Sequence, residues 1–237
     1  MSPFFQYTET ELACLGKRDK ALAKVIDEVG PIRREVIPDL FMALVHAIAG
    51  QQISMKAQQT IWGRILETVV PLTPQRLLAV PAEALRACGL SERKVTHIRD
   101  IALSVVRGEL NLDELHTLDD DAVRARLSAL RGIGVWTAEM LMLFSMQRKD
   151  ILSRDDLAIQ RGLRMLYRHR TITPALFARY RKRYSPYASL ASLYLWALAG
   201  GACRGYTDPA EKGRRNTPGT PKREKSCPSS SPAARLP

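Results

Sequence analysis

The sequence predicts an all-α protein, and three observations carry that prediction. Leu, Ala, Arg and Glu dominate the body of the chain, and apolar residues recur at spacings of three and four, the period of a helix with one buried face. Asp, Ser and Thr, sometimes followed by Pro, precede these segments as helix starts, and Gly closes several of them. No stretch alternates apolar and polar residues convincingly at period two, so no sheet is expected.

The elements follow in order. Asp19 caps a segment running to Gly30, with Leu22, Val25, Ile26 and Val29 on one face. Asp39 caps a second, which carries Phe41, Leu44, Val45 and Ile48 and ends at Gly50. Ser54 opens a third, with Ile61, Ile65 and Leu66 inside. Thr73-Pro74 pairs a cap with proline in the first turn and starts a short helix. Another runs from near Pro81 to Gly89, and Ser91 opens one that reaches to near Arg107. Asp119 or Asp120 starts a helix to Leu130, Val135 one that ends near Met146, and Asp155 or Asp156 one that ends near Tyr167. Thr173-Pro174 and Ser185-Pro186 each start one more. The result is roughly ten helices joined by short loops.

Composition narrows the partner. A chain of 237 residues holds one large domain or two small ones. No apolar run reaches membrane-spanning length, and Met1 to Tyr7 has no basic region followed by an apolar run. The protein is therefore expected in the cytoplasm or nucleoid of a bacterium, or the nucleus of a eukaryote, and not secreted. The net charge is +12; from Thr207 onward seven Lys/Arg stand against three Asp/Glu, so +4 belongs to that tail and +8 to the body. A basic body favours a polyanion, nucleic acid first and a membrane surface second. From Thr207, Gly, Pro, Ser, Lys and Arg replace aliphatics, and residues 207–237 are expected to be a disordered basic tail, with Lys222-Arg223-Glu224-Lys225 as a solvated charge run. Cys14, Cys88, Cys203 and Cys227 are too scattered for a zinc or iron–sulfur site and read as free thiols.

Two elements carry chemistry. Gly132 and Gly134 flank Ile133 between two helical segments. Glycines allow positive φ and close approach, and the free N–H groups and positive dipole end of the following helix face such a turn, which suits a phosphate oxygen. Ile133 anchors the turn in the core, and Thr137, in the first helical turn, offers a hydroxyl. Taken alone, such a turn is an ordinary helix connection. The second element is Asp155-Asp156 at a helix start, where capping is the ordinary role. Asp155 is expected to take the cap.

Leu130-Arg131-Gly132-Ile133-Gly134-Val135-Trp136-Thr137-Ala138 resembles the helix–hairpin–helix of DNA glycosylases, L-P-G-[IV]-G-x-x-T-A, with Arg131 in place of the usual proline. That substitution adds a charge facing phosphate and keeps both glycines. Asp156-Leu157-Ala158-Ile159 matches the family's D-x-x-[IM] register, whereas Asp155 would put Ala158 where the aliphatic belongs. The resemblance implies that Asp156 is catalytic, with Asp155 the fallback. It also implies that Trp136, Tyr187 and Trp196 line the base pocket, as aromatics do in 3-methyladenine DNA glycosylase II and its shorter relatives. Trp136 stands where several strand-cutting relatives carry a nucleophilic lysine, so a monofunctional, water-using enzyme is implied. Ala49-Gly50-Gln51-Gln52-Ile53-Ser54 resembles the family's GQQ[IL]S loop, which enters the minor groove; Gln52 is the implied plug and Gln51 a residue at the pocket mouth.

The similarity runs from about Thr8 to Gly201, and the hairpin's early position implies the short, all-helical form of the family. The expected architecture is a helix–hairpin–helix glycosylase domain over 1–206, with two helical subdomains flanking a cleft. One spans about 36–148; the other combines 1–35 with 149–206. The implied activity is release of alkylated purines, of the 3-methyladenine and 7-methylguanine type, from damaged double-stranded DNA by a monomer with no obligate protein partner, no membrane association, no metal and no cofactor beyond a monovalent cation at the hairpin. Two alternatives stand beside it: a glycosylase for ethenoadenine or an oxidised base, and a non-catalytic DNA-binding module.

Overall fold

In the computed structural model, residues 3–210 are described; they form twelve α-helices and one 3-10 turn at Glu114–His116. No sheet forms among them, and extended pairing is limited to one bridge between Phe4 and Glu35. The helices are α1 (Glu9–Arg18), α2 (Lys20–Val29), α3 (Leu40–Gly50), α4 (Met55–Thr68), α5 (Pro74–Ala79), α6 (Ala82–Ala87), α7 (Glu92–Val106), α8 (Asp120–Ser128), α9 (Val135–Phe144), α10 (Leu157–Tyr167), α11 (Pro174–Tyr184) and α12 (Ala188–Ala199).

Side-chain caps set most of these boundaries. Asp19, Asp39, Ser54, Thr73, Ser91, Asp119 and Thr173 each accept a backbone N–H from the first turn that follows. Each satisfies a donor that a helix start leaves unpaired. α1 is an addition to the sequence reading. Thr8 and Glu11 form a reciprocal capping box at its start, yet Leu15 is its only fully buried residue, so its apolar stripe is faint. The start of α12 also differs from expectation. Ser185 does not cap it: the Ser185 hydroxyl donates to Asp150 at 2.7 Å, and the Asp150 carboxylate accepts the Ala188 N–H at 3.2 Å instead.

The helices pack in two groups. α3 through α9 contact one another, and α1 and α2 pack with α10, α11 and α12. The second group closes around a buried carboxylate. Asp19 caps α2 and also accepts from the Tyr167 hydroxyl of α10 at 2.6 Å and the Arg183 guanidinium of α11 at 2.7 Å. The segment leading into α10 is stitched to α12, because Ile151 N–H donates to the Ser189 hydroxyl at 2.9 Å and the Ser192 hydroxyl donates to the Ile151 carbonyl at 3.0 Å. These bonds fix the path from Lys149 to Asp156 and so aim the start of α10. Order also extends past Thr207: Asp208 is 4 % exposed and held by the Arg164 guanidinium, so the ordered body does not stop at Tyr206. The rest of the expected tail, from residue 211, lies outside the described residues, as does its basic run at 222–225.

Candidate active site

Asp156 is the N-cap of α10, a role the sequence reading had given to Asp155. Its Oδ1 accepts the backbone N–H groups of Ala158 and Ile159, both at 2.9 Å. Asp155 is exposed and caps nothing, whereas Asp156 is 7 % exposed. The cap and the candidate catalytic carboxylate are thus one residue. The reason is geometric: a cap must sit directly before the first helical residue, and α10 begins at Leu157.

Two indoles complete the surroundings of that carboxylate. Trp196 of α12 donates its Nε1–H to Asp156 Oδ1 at 3.1 Å, and Trp136 of α9 donates its Nε1–H to Oδ2 at 2.9 Å. Four N–H donors therefore converge on one side chain, and they are divided unequally. Oδ1 holds three of them, while Oδ2 holds one and keeps lone-pair capacity for another partner. Trp136, 47 % exposed, presents its ring to solvent beside Oδ2. Trp196 stacks on Phe144 with ring centroids 5.4 Å apart, and the Arg34 guanidinium lies 5.0 Å from the Phe144 centroid. Phe144 and Arg34 were not singled out in the sequence; no local pattern marks them. Tyr187 occupies the N-cap position of α12, half-buried, and no hydrogen bond or ring contact joins it to the carboxylate or the indoles.

α10 and α12 approach closely enough for this clamp because of Gly162. A Cβ at that position would stand 2.6 Å from the Leu195 carbonyl oxygen. Only a glycine lets the two backbones meet there, one residue before Trp196.

The hairpin joins α8 to α9. Gly132 has φ +87°, and a Cβ there would stand 2.4 Å from His97 Nδ1, so both backbone and space demand glycine. Gly134 differs: its backbone is extended and a Cβ would meet nothing within 4 Å, so it leaves open space before α9 rather than enabling a left-handed turn. No side chain caps α9, and the N–H groups of its first turn face that opening. Ile133 is buried at 4 % exposure and anchors the turn. Thr137 is 8 % exposed, so little of it reaches the surface. Arg131 is exposed and pairs with Asp100 at 3.4 Å. It lines an open depression with Arg93, Thr96, His97 and Gly132.

The Gln51–Ser54 loop is braced to this hairpin. Gln51 donates its amide to the Gly132 carbonyl at 2.7 Å. Lys94 of α7, another residue without a sequence signal, donates to the carbonyls of Ala49 at 2.9 Å and Gln51 at 2.8 Å. Burial pushes the Lys94 ammonium below its ordinary range. Gln52 then stands exposed at φ +58°, in the left-handed region that non-glycine residues rarely adopt. The loop is therefore a fixed projection with Gln52 near its tip. No group of His, Cys, Asp and Glu suited to a metal ion occurs among the described residues.

Comparison with known proteins places this geometry. The model of the HhH-GPD superfamily of base excision DNA repair proteins matches residues 45–186, which contain the loop, the hairpin and Asp156. The chain belongs to this superfamily. A DNA-3-methyladenine glycosylase 1 of Schizosaccharomyces pombe is 32% identical over 79% of this chain and 85% of its own length. DNA-3-methyladenine glycosylase 2 of Escherichia coli is 30% identical over 68% of this chain, and the match spans 58% of that longer protein. Among solved structures, a DNA-3-methyladenine glycosidase from Bacillus halodurans superposes with a TM-score of 0.77 at 34% identity, covering 91% of this chain and 100% of that one. The S. pombe 3-methyladenine DNA glycosylase in complex with abasic DNA superposes at 0.69 and 28% identity, covering 82% and 98%.

Proposed function

We propose that this member of the superfamily hydrolyses the N-glycosidic bond of alkylated purines in duplex DNA, releasing bases of the 3-methyladenine and 7-methylguanine type. The observation that carries the reading is the buried Asp156 carboxylate held by two indole N–H groups, with Oδ2 left partly free. Alkylation at N3 or N7 makes a purine cationic and a good leaving group, so the site needs no strong general acid. The exposed Trp136 face and the Trp196–Phe144 stack attract such a base through dispersion and cation–π forces, worth about 0.5–2 kcal/mol for a cation. As the C1′–N bond breaks, the electron pair leaves with the base and positive charge grows on the sugar. Asp156 Oδ2 stabilises that charge and accepts a hydrogen bond from the attacking water, which forms the new C1′–O bond and passes its proton to the Asp156 carboxylate, from which it leaves to solvent. The hairpin's backbone N–H groups hold a phosphate of the damaged strand, and Gln52 fills the space left by the flipped nucleotide. With the Trp136 indole bonded to the carboxylate at the position where strand-cutting relatives carry a lysine, the chemistry stops at an intact abasic strand.

The test is a release assay on methylated duplex DNA with the liberated bases separated chromatographically. Free 3-methyladenine or 7-methylguanine should appear, and strands should break only after alkali. Release of oxidised or ethenoadenine bases alone, or strand cleavage without alkali, contradicts the proposal.

A further inference from the structure

The geometry points to a second DNA-contacting surface, on α4, that engages the phosphates of the undamaged strand; it rests on the reading that the Gln51–Ser54 loop enters the minor groove. Lys56, Thr60 and Arg64 recur every four residues, so they form one line along α4. All three are exposed. No carboxylate among the described residues lies within ion-pair distance of Lys56 or Arg64, whereas Arg131 and many other arginines of the chain have acidic partners. The line borders an open depression with Ser54, Ala57, Ile61 and Gly89, whose lining joins the apolar Ala57 and Ile61 to the basic Lys56 and Arg64.

The position of this depression gives it meaning. It shares no residue with the one lined by Arg93, Thr96, His97, Arg131 and Gly132. The hairpin side meets the loop at Gln51, whose amide reaches Gly132; the α4 side meets it at Ser54, the cap of α4. A projection seated in the minor groove has one sugar–phosphate strand on each flank, and the groove is only about 6 Å wide. If the hairpin takes the damaged strand, the flank beginning at Ser54 faces the other one. Between Lys56 and Arg64, eight residues of helix cover about 12 Å, which corresponds to three or four nucleotides at about 3.4 Å rise per strand. Ile53, at 36 % exposure, and Met55, at 80 %, lie at the start of this flank and give the loop an apolar shoulder against the base stack.

The experiment measures abasic-duplex affinity against salt for wild type and the Lys56→Gln/Arg64→Gln double variant. Both substitutions are exposed and helix-compatible, and a thermal melt checks folding. Loss of two phosphate contacts should lower the log–log salt slope by about 1.8, so that the affinity ratio between the two proteins narrows about twelvefold between roughly 50 and 200 mM salt. A second arm neutralises phosphates by methylphosphonate substitution. Neutral linkages in the undamaged strand around the abasic site should weaken wild type and leave the double variant's slope unchanged; the same linkages in the damaged strand should weaken both equally. An unchanged slope in the double variant, or equal losses from neutralising the undamaged strand, overturns the inference. Base release by wild type is read in parallel: release with an unchanged slope sinks this surface alone, and a changed slope without release sinks the enzymatic reading alone.

Discussion

Gly162→Ala is a small perturbation with a calculable reach. The added Cβ would lie 2.6 Å from the Leu195 carbonyl oxygen, and ordinary contact begins at 3.4 Å, so α10 and α12 must part by about 0.8 Å. Trp196 follows Leu195 directly, and its Nε1–H lies 3.1 Å from Asp156 Oδ1. A displacement of that size carries the indole out of hydrogen-bond range while both backbone caps on Oδ1 survive. Overpacking costs about 1–3 kcal/mol, offset by about 1 kcal/mol of better helix propensity for alanine, so the variant should fold with a modest loss of stability. Misplacing a catalytic group by about 1 Å lowers rates by up to about 10²-fold. The assay is single-turnover base release beside a denaturation curve. A rate reduced by roughly ten- to a hundredfold, with abasic-DNA affinity kept, is expected. Wild-type rate together with wild-type stability refutes the argument that this close approach sets the site.

Three further outcomes test other contacts. Trp196→Phe keeps the stack on Phe144 but removes the N–H donated to Oδ1; release should slow by about ten- to a hundredfold, in line with one charge-assisted hydrogen bond of about 1.5–3 kcal/mol, while abasic-DNA binding holds, and equal losses in both argue for packing alone. Lys94→Met preserves the aliphatic stem but leaves the Ala49 and Gln51 carbonyls without their donor; at about 1–3 kcal/mol per unsatisfied group, hydrogen exchange across residues 49–53 should quicken roughly tenfold or more, and unchanged exchange there contradicts the bracing role. For Asp19, burial raises the carboxyl's pKa, but hydrogen bonds from Tyr167, Arg183 and the Leu22 N–H outweigh it and hold it below its ordinary value. A depressed carboxyl stabilises the fold above its unfolded pKa of about 3.9 and loses that contribution as pH falls through the folded value. Asp19→Asn should therefore cost about 2–3 kcal/mol at neutral pH, with the gap to wild type closing below about pH 4; a gap independent of pH contradicts the account.

Much of this was legible because caps are local. Asp39, Ser54, Thr73 and Thr173 stand directly before the residues they serve, and the helices begin where those signals place them. α1 escaped because one fully buried leucine makes too faint a stripe. Ser185 misled because its hydroxyl is taken by Asp150, thirty-five residues earlier in the chain, a partner no local window contains. The Gly–Ile–Gly turn and Asp156 were legible as a register, but the division of labour was not. Sequence reasoning split capping and the proposed chemistry between Asp155 and Asp156, whereas Asp156 Oδ1 caps α10 and its Oδ2 is bonded by Trp136. The tryptophans were visible as rings; their N–H groups as a clamp depend on tertiary distances across twenty and forty residues. Gly162 did leave a trace, since a glycine inside a helix costs about 1 kcal/mol relative to alanine and marks a close approach.

The carboxylate itself is the point on which everything else turns. Asn is as good an N-cap as Asp, so Asp156→Asn should retain the fold, the hairpin and abasic-DNA binding while removing the carboxylate charge. Side-by-side release from methylated duplex should show wild type liberating alkylated purines and the variant slowed by about 10²–10⁴-fold. A variant that binds abasic DNA and releases base within about threefold of wild type would show that the Asp156 charge is not what drives the reaction.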